Sequence, residues 1–360
     1  MSQNLTAGVA QPRPALSPWQ VKNPRNTRNI IFASTIPAIF SLATTLVLSL
    51  DGVFGLLLIF LPIQILSASW VGFKIFGRKG VSDSLLVIFT IFFSTLVGVL
   101  LLSVLYSVLS EGFKAISPQF FYQNNVYITD TTSLEYGGVG HAILGTFIIV
   151  GLTTLVTVPL GIALAVYLTE TSGRARGAVR TLVQAMSGLP SVVAGLFVFS
   201  AFIASGVTRY AGWLGSLALI PLMLPTVTRV AEEGLRLVPV ELRNGALALG
   251  APSYRAFFQV TLPAAKSGII TAFLLGIARI IGETAPLLLT VAYANDTVAD
   301  PLKEMASLPT YIFQNLGAND TSMQRAWGAA LVILIMVGIV FTAARMATRS
   351  KKAKIKKVKK

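Results

Sequence analysis

Val238-Pro239-Val240-Glu241-Leu242-Arg243-Asn244-Gly245-Ala246-Leu247-Ala248-Leu249-Gly250 is followed by Phe257-Phe258-Gln259-Val260-Thr261-Leu262-Pro263. Pro239 suits a helix start, where a missing N–H costs little. The helix is predicted to run to Leu249, and Gly250 to end it in a left-handed conformation. A second short stretch then leads through Leu262-Pro263 into an apolar run. The prediction is a short helix lying across one face of the molecule, with Leu242, Ala246 and Leu249 on one side. Arg229-Val230-Ala231-Glu232-Glu233-Gly234-Leu235-Arg236 stands just before it and closes another apolar run.

Moving outward from this loop, eight apolar segments can be marked: Ile30–Leu50, Val53–Val71, Leu85–Leu109, Ala142–Leu168, Leu189–Ala204, Gly212–Thr228, Gly268–Ala292 and Ala326–Met346. A spanning helix needs ~20 residues, within a range of ~17–25. Asp51-Gly52 between the first two predicts a tight helical hairpin. The expectation is an all-α, polytopic membrane protein of about eight transmembrane helices.

Composition agrees. Of 360 residues, 54% are hydrophobic and 12% charged, with mean hydropathy +0.73. Soluble domains carry about 25% charged residues. The net charge of +15 is spread over short segments between apolar runs and a basic tail, which is a topology signal rather than a nucleic-acid face. With the N-terminus inside, 24 of the 29 Lys and Arg fall in inside segments, while Lys114, Arg209, Lys303 and Arg325 fall outside and Arg279 lies within the seventh run. Both termini are therefore expected in the cytoplasm. The Pro-punctuated start, with Arg13, Lys22, Arg25 and Arg28 before a full-length apolar run, reads as a cytoplasmic tail and not as a cleaved signal. The outer loops Ser110–Gly140 and Tyr293–Met323 are long, and are either solvated connections or short structure that meets an external partner.

Several functions are excluded. There is no cysteine and a single histidine, His141, so thiolate and histidine metal centres and a Ser/His/Asp set are implausible. His141 is expected at the membrane interface. No Gly-x4-Gly-Lys-Ser/Thr loop is present, so the chain itself should not bind ATP. It is expected not to be an enzyme and to hold no cofactor of its own.

The loop resembles the cytoplasmic motif of ABC importer permeases: glutamate-alanine-alanine, three residues, glycine, nine residues, isoleucine, any residue, leucine-proline. Gly250 takes the glycine, Val260 the isoleucine, and Leu262 and Pro263 the final pair. Asn244 and Gly245 replace the glutamate and first alanine, and Ala246 holds the second alanine. Glu241 lies one turn away from the missing glutamate. Along Gly137–Ala344 the chain resembles phosphate permeases of the PstA type. The residues that carry this are Gly145-Thr146, Val158-Pro159-Leu160-Gly161, Tyr167-Leu168-Thr169-Glu170, Gly188-Leu189-Pro190-Ser191, Gly195-Leu196-Phe197, Leu222-Met223-Leu224-Pro225, Gly276-Ile277-Ala278-Arg279, Gly282-Glu283-Thr284-Ala285-Pro286-Leu287, Leu308-Pro309 and Arg325-Ala326-Trp327-Gly328.

The resemblance implies a type I ABC importer permease core in the cell inner membrane. It implies a second permease subunit, two ATPase subunits that bind ATP and Mg, and an external phosphate-binding protein. The chain then divides into a cytoplasmic tail (1–29), an extra hairpin (30–72), a third span with its outer loop (73–136), the permease core (137–346) with its coupling loop (232–263), and a basic tail (347–360). The rivals are a permease for another oxyanion, molybdate or sulfate, and an ATP-independent ion-coupled transporter.

Arg279 and Glu283 lie inside an otherwise apolar run. Arg279 stands thirteen residues past Lys266, about 20 Å along a helix at ~1.5 Å per residue. Placing Arg near the bilayer centre costs about 2.5–3.5 kcal/mol on insertion scales. Their i,i+4 spacing puts both on one face, and Pro286 cannot donate to the Gly282 carbonyl, which predicts a kink. Two readings stand: a bridge that holds helices together, or a pathway in which Arg279 attracts phosphate with its planar fork, Glu283 tempers it, and Thr284 adds a hydroxyl. Arg229 is a weaker pathway candidate and a better topology anchor.

Overall fold

The computed structural model describes residues 24–47, 52, 55–317 and 319–348. Residues 1–23, the Asp51 turn and residues 349–360 lie outside the described part, and with them most of both predicted tails. Every regular element among the described residues is helical. The chain forms two compact units, Met1–Val104 and Leu105–Lys360.

In the first unit, α1 (Pro24–Val47) precedes a π-helical turn, Gly55–Phe60, and a long helix, α2 (Leu61–Ala115). α1 and α2 are joined where the Ser67 hydroxyl donates to the Ala33 carbonyl at 3.0 Å. The expected loop between the second and third apolar runs is absent. Instead α2 is interrupted at one residue, Gly77, with φ 65° and ψ −149°. Only glycine enters that region without strain, and one such residue reverses the path. A Cβ on Gly72 would stand 2.4 Å from the Gly80 carbonyl oxygen, so the two arms fold against each other. Lys74, Arg78 and Lys79 therefore sit on helical arms and not in a loop.

The second unit carries the end of α2, a 3-10 turn Gln119–Phe121, then α3 (Gly140–Glu170), α4 (Arg174–Ser187), α5 (Ser191–Val198, prolonged by a π turn Phe199–Ala204), α6 (Gly212–Arg236), α7 (Val240–Ala248), short turns over Ser253–Ala264, α8 (Lys266–Ile280), α9 (Ala285–Thr290), α10 (Leu308–Asn315) and α11 (Asp320–Thr348). α6 is the central helix. Its Leu219, Met223, Val227 and Ala231 are fully buried in the main core, with Ile149 and Ala165 of α3, Ala272 and Ile280 of α8, and Leu287 of α9.

Small residues and hydroxyls make this packing close. The Thr153 hydroxyl donates to the Ile149 carbonyl at 2.8 Å, and the Ser216 hydroxyl crosses from α6 to the same carbonyl at 3.0 Å. Between α6 and α8 the chain places glycine against glycine: a Cβ on Gly268 would lie 2.5 Å from the Gly234 Cα. In lipid, where apolar burial drives little association, such close approach and interhelical hydrogen bonds supply the attraction.

Four helices among the described residues are long and apolar enough to cross a membrane, or up to six if each bent pair is one span. One of the four is the Leu58–Ala115 stretch that Gly77 divides. The fifth expected run holds only the Ser191–Ala204 arm, which meets α4 at 99°. α4 has apolar residues on one side and Arg174, Arg176 and Arg180 elsewhere, so it reads as a helix lying at the interface. The seventh expected run is not a kinked helix but a broken one. α8 ends at Ile280, Gly282–Thr284 is non-helical, and α9 restarts with Pro286 in its first turn. Pro286 withholds a hydrogen bond and Gly282 adds its low helix propensity; together they stop the helix.

Candidate functional site

The short loop helix forms as its residues predict. Pro239, with φ −56° and ψ 132°, is the N-cap and turns the chain out of α6; Glu241 lies in the first turn of α7, where a carboxylate meets the positive end of the helix dipole. At the other end Gly250 has φ +85°. Its N–H donates to the Leu247 carbonyl at 2.9 Å, and the Ala251 N–H to the Ala246 carbonyl at 3.1 Å. This is a Schellman ending, which needs the left-handed residue.

No residue of α7 is buried. Val240, Leu242 and Leu247 are exposed, and Leu249 is 90% exposed. Asn244 and Gly245 are exposed and Ala246 half-buried. The return segment is anchored instead: Phe257 enters the main core, and Leu262 packs against it. Val260 is half-buried and Pro263 exposed. The predicted loop residues thus divide. Asn244, Gly245 and Ala246 belong to a helix that presents aliphatic surface outward, while Val260 and Leu262 fasten the loop to the helices.

Two ion-pair groups, not foreseen from the sequence, brace this end. Arg243 of α7 meets Glu170, the last residue of α3, at 2.5 Å. Glu232 of α6 receives Arg180 of α4 and Arg236 of α6, each at 2.6 Å. Glu232–Arg236 has the i,i+4 spacing of a helical ion pair, whereas the Arg180 and Glu170 partners have no local signal.

The structure brings Arg279 and Glu283 together. A guanidinium N–H of Arg279, in the last turn of α8, donates to the Glu283 carboxylate. The pair spans the broken helix end rather than one continuous helix. Arg279 is 49% exposed and Glu283 14%, while Ile280 and Ile281 between them are buried. Arg279 therefore reaches outward, while the Glu283 carboxylate is largely covered. Thr284 does not join it: its hydroxyl turns toward the Gly282 carbonyl at 3.5 Å. Arg229 of α6 is exposed and joins none of the ion pairs among the described residues.

The two long loops are structured. Phe120, Val139, Leu308 and Tyr311 form a second core with Ala329 and Val332 of α11. Arg325, only 1% exposed, donates to the carbonyls of Thr132 at 2.7 Å, Ser133 at 3.0 Å and Tyr136 at 3.3 Å. The Asn125 N–H donates to the Asn295 carbonyl, which ties the two loops directly. His141, at the start of α3, is buried within the protein, with its Nε2 3.2 Å from the Tyr293 hydroxyl. Burial pushes the Tyr311 hydroxyl above its usual range, so it stays neutral and accepts from the Asn125 amide.

The family described as "Binding-protein-dependent transport system inner membrane component" matches residues 157–353. The chain belongs to this family. The match begins within α3 and takes in α4 to α11, the loop helix and the Arg279–Glu283 pair, and it leaves α1 and α2 outside. This permease is 43% identical over 213 residues to "Phosphate transport system permease protein PstA 1" of Mycobacterium tuberculosis, covering 58% of this chain and 70% of that one. It is 37% identical over 245 residues to the corresponding PstA protein of Haemophilus influenzae, covering 66% and 84%. Among solved structures, a bacterial alginate ABC transporter bound to its periplasmic protein aligns with a TM-score of 0.52 at 16% identity, over 75% of this chain and 96% of that one; the likeness is one of fold. The chain is a multi-pass inner-membrane permease with an all-helical core.

Proposed function

We propose that this permease carries inorganic phosphate through an ATP-driven importer, paired with a second permease subunit, two ATPase subunits and an external phosphate-binding protein. The observation that carries the substrate side is the half-exposed Arg279 guanidinium at a helix break, tempered by one carboxylate. A guanidinium fork matches the oxygens of phosphate. Bound with no counter-charge it would hold the anion too long for flux; Glu283 competes for the same donors. The broken backbone beside it suits a site that lines a cavity, where irregular backbone is tolerated in a membrane. The similarity to proteins named as phosphate permeases favours phosphate among the oxyanions.

The coupling side rests on α7. A nine-residue helix with no buried residue, whose Val240, Leu242 and Leu247 are exposed together with Leu249 at its C-cap, is half of an interface. An ATPase groove is its partner, with Asn244, Gly245 and Ala246 at the contact and Gly250 fixing the exit angle. ATP and Mg bind to the ATPase. Its closure moves α7, and Glu170 and the Val260–Leu262 anchor pass that movement to α3 and α8. The charge distribution supports eight crossings with both termini in the cytoplasm.

The test is uptake by the four-part complex reconstituted in vesicles, with phosphate, sulfate and molybdate compared. Phosphate uptake that requires ATP is the expected result. Preference for sulfate or molybdate would reassign the substrate, and uptake without ATP would replace the importer with an ion-coupled transporter.

A further inference from the structure

The helices outside the family match carry a site of their own. Between α1 and the first arm of α2 lies a groove of about 320 Å³. Its lining brings the apolar side chains of Phe32, Ile36 and Trp70 together with Asn29, Lys74 and Ile75. The Lys74 ammonium sits 3.8 Å above the centroid of the Trp70 ring. This contact holds the charge against the ring while leaving its N–H donors free: Lys74 has no carboxylate partner among the described residues. The charges nearby in sequence are mostly basic: Arg28 precedes Asn29, and Arg78 and Lys79 follow the Gly77 turn, while Asp83, one turn beyond Lys79, is the only carboxylate among the described residues of the first unit.

An apolar slot beside a tryptophan-backed lysine matches the two ends of a lipid. Tryptophan and snorkelling lysine mark the headgroup level of a bilayer. We propose that this groove binds an anionic phospholipid, with its phosphate on Lys74 and Asn29 and one acyl chain along Phe32 and Ile36. The leaflet, cytoplasmic, rests on the topology proposed above; the lipid chemistry does not. The extra helices would thereby fasten the permease to anionic lipid.

The assembled complex is reconstituted in phosphatidylcholine vesicles that contain a minor fraction of brominated phosphatidylglycerol or brominated phosphatidylcholine. The fluorescence difference between wild type and Trp70→Phe isolates Trp70. Brominated phosphatidylglycerol should quench it at a mole fraction about fivefold lower, the scale of one basic residue beside an anionic lipid surface. Lys74→Gln should abolish that preference, Lys79→Gln should retain it, and added inorganic phosphate should not displace the lipid. Native mass spectrometry reads the same site with Trp70 untouched: the wild-type complex should retain one more phosphatidylglycerol than Lys74→Gln. Equal quenching by the two lipids, equal loss in the Lys74 and Lys79 variants, or displacement by free phosphate would overturn the proposal. None of these readings needs transport, so a wrong substrate assignment leaves them intact.

Discussion

Arg243 of the exposed loop helix is paired with Glu170, the last residue of α3, at 2.5 Å. This is the one ion pair that joins α7 to a long helix among the described residues. With side chains 33% and 20% exposed, the pair is worth ~0.5–1 kcal/mol, too little to decide folding but enough to set the tilt of α7. Glu170→Arg should leave the complex assembled and lower its phosphate-stimulated ATP hydrolysis several-fold. The exchange of both charges, Glu170→Arg with Arg243→Glu, should recover most of it. Hydrolysis assays on the three purified complexes check this.

Gly250 governs how the chain leaves α7. An L-residue in the left-handed region costs roughly 1–2 kcal/mol. A side chain there meets open space, so the cost is conformational only. Gly250→Val should therefore insert and pair with its partner permease, yet lose the ATPase during purification or hydrolyse ATP without uptake. Wild-type uptake in this variant would count against docking through α7.

Arg325 should prove structural. It supplies donors to the loop carbonyls of Thr129, Thr132, Ser133 and Tyr136, and a hydrogen bond from a charged group is worth ~1.5–3 kcal/mol. Arg325→Leu should release the segment 129–136 to limited proteolysis, with cleavage at least tenfold faster. Lys, with its compact ammonium in place of a fork, should protect it only in part. Equal protection in all three proteins would show that the loop holds itself.

Much of this was legible in the sequence. Runs of apolar residues mark helices because lipid forces each backbone group to bond within its own helix. Gly250 and Pro239 mark the loop helix through dihedral preference alone. What was not legible depends on one residue or on distant partners. Gly77 looks like any glycine near a basic cluster, and nothing local says that it replaces a whole loop. Pro286 announces a kink, but the full break needs Gly282 as well. Arg325 counts as an outside charge in the topology ledger; its burial depends on loop carbonyls almost two hundred residues earlier. The burial of His141 had no local signal either, since the rings it meets, Tyr293 and Tyr311, come from distant segments.

The central claim is that phosphate passes over Arg279 and Glu283. Arg279→Gln should abolish uptake in an assembled complex, since a neutral amide cannot replace a bidentate cation. Glu283→Gln should bind phosphate more tightly and release it more slowly. A purely structural bridge behaves otherwise: each single variant leaves a stranded charge and misassembles, and an apolar pair repairs it. The most direct measurement is ATP-driven phosphate uptake by the Arg279→Leu/Glu283→Leu double variant, with assembly verified on the same preparation. The account predicts an assembled complex with no uptake; wild-type uptake with leucine at both positions would contradict it.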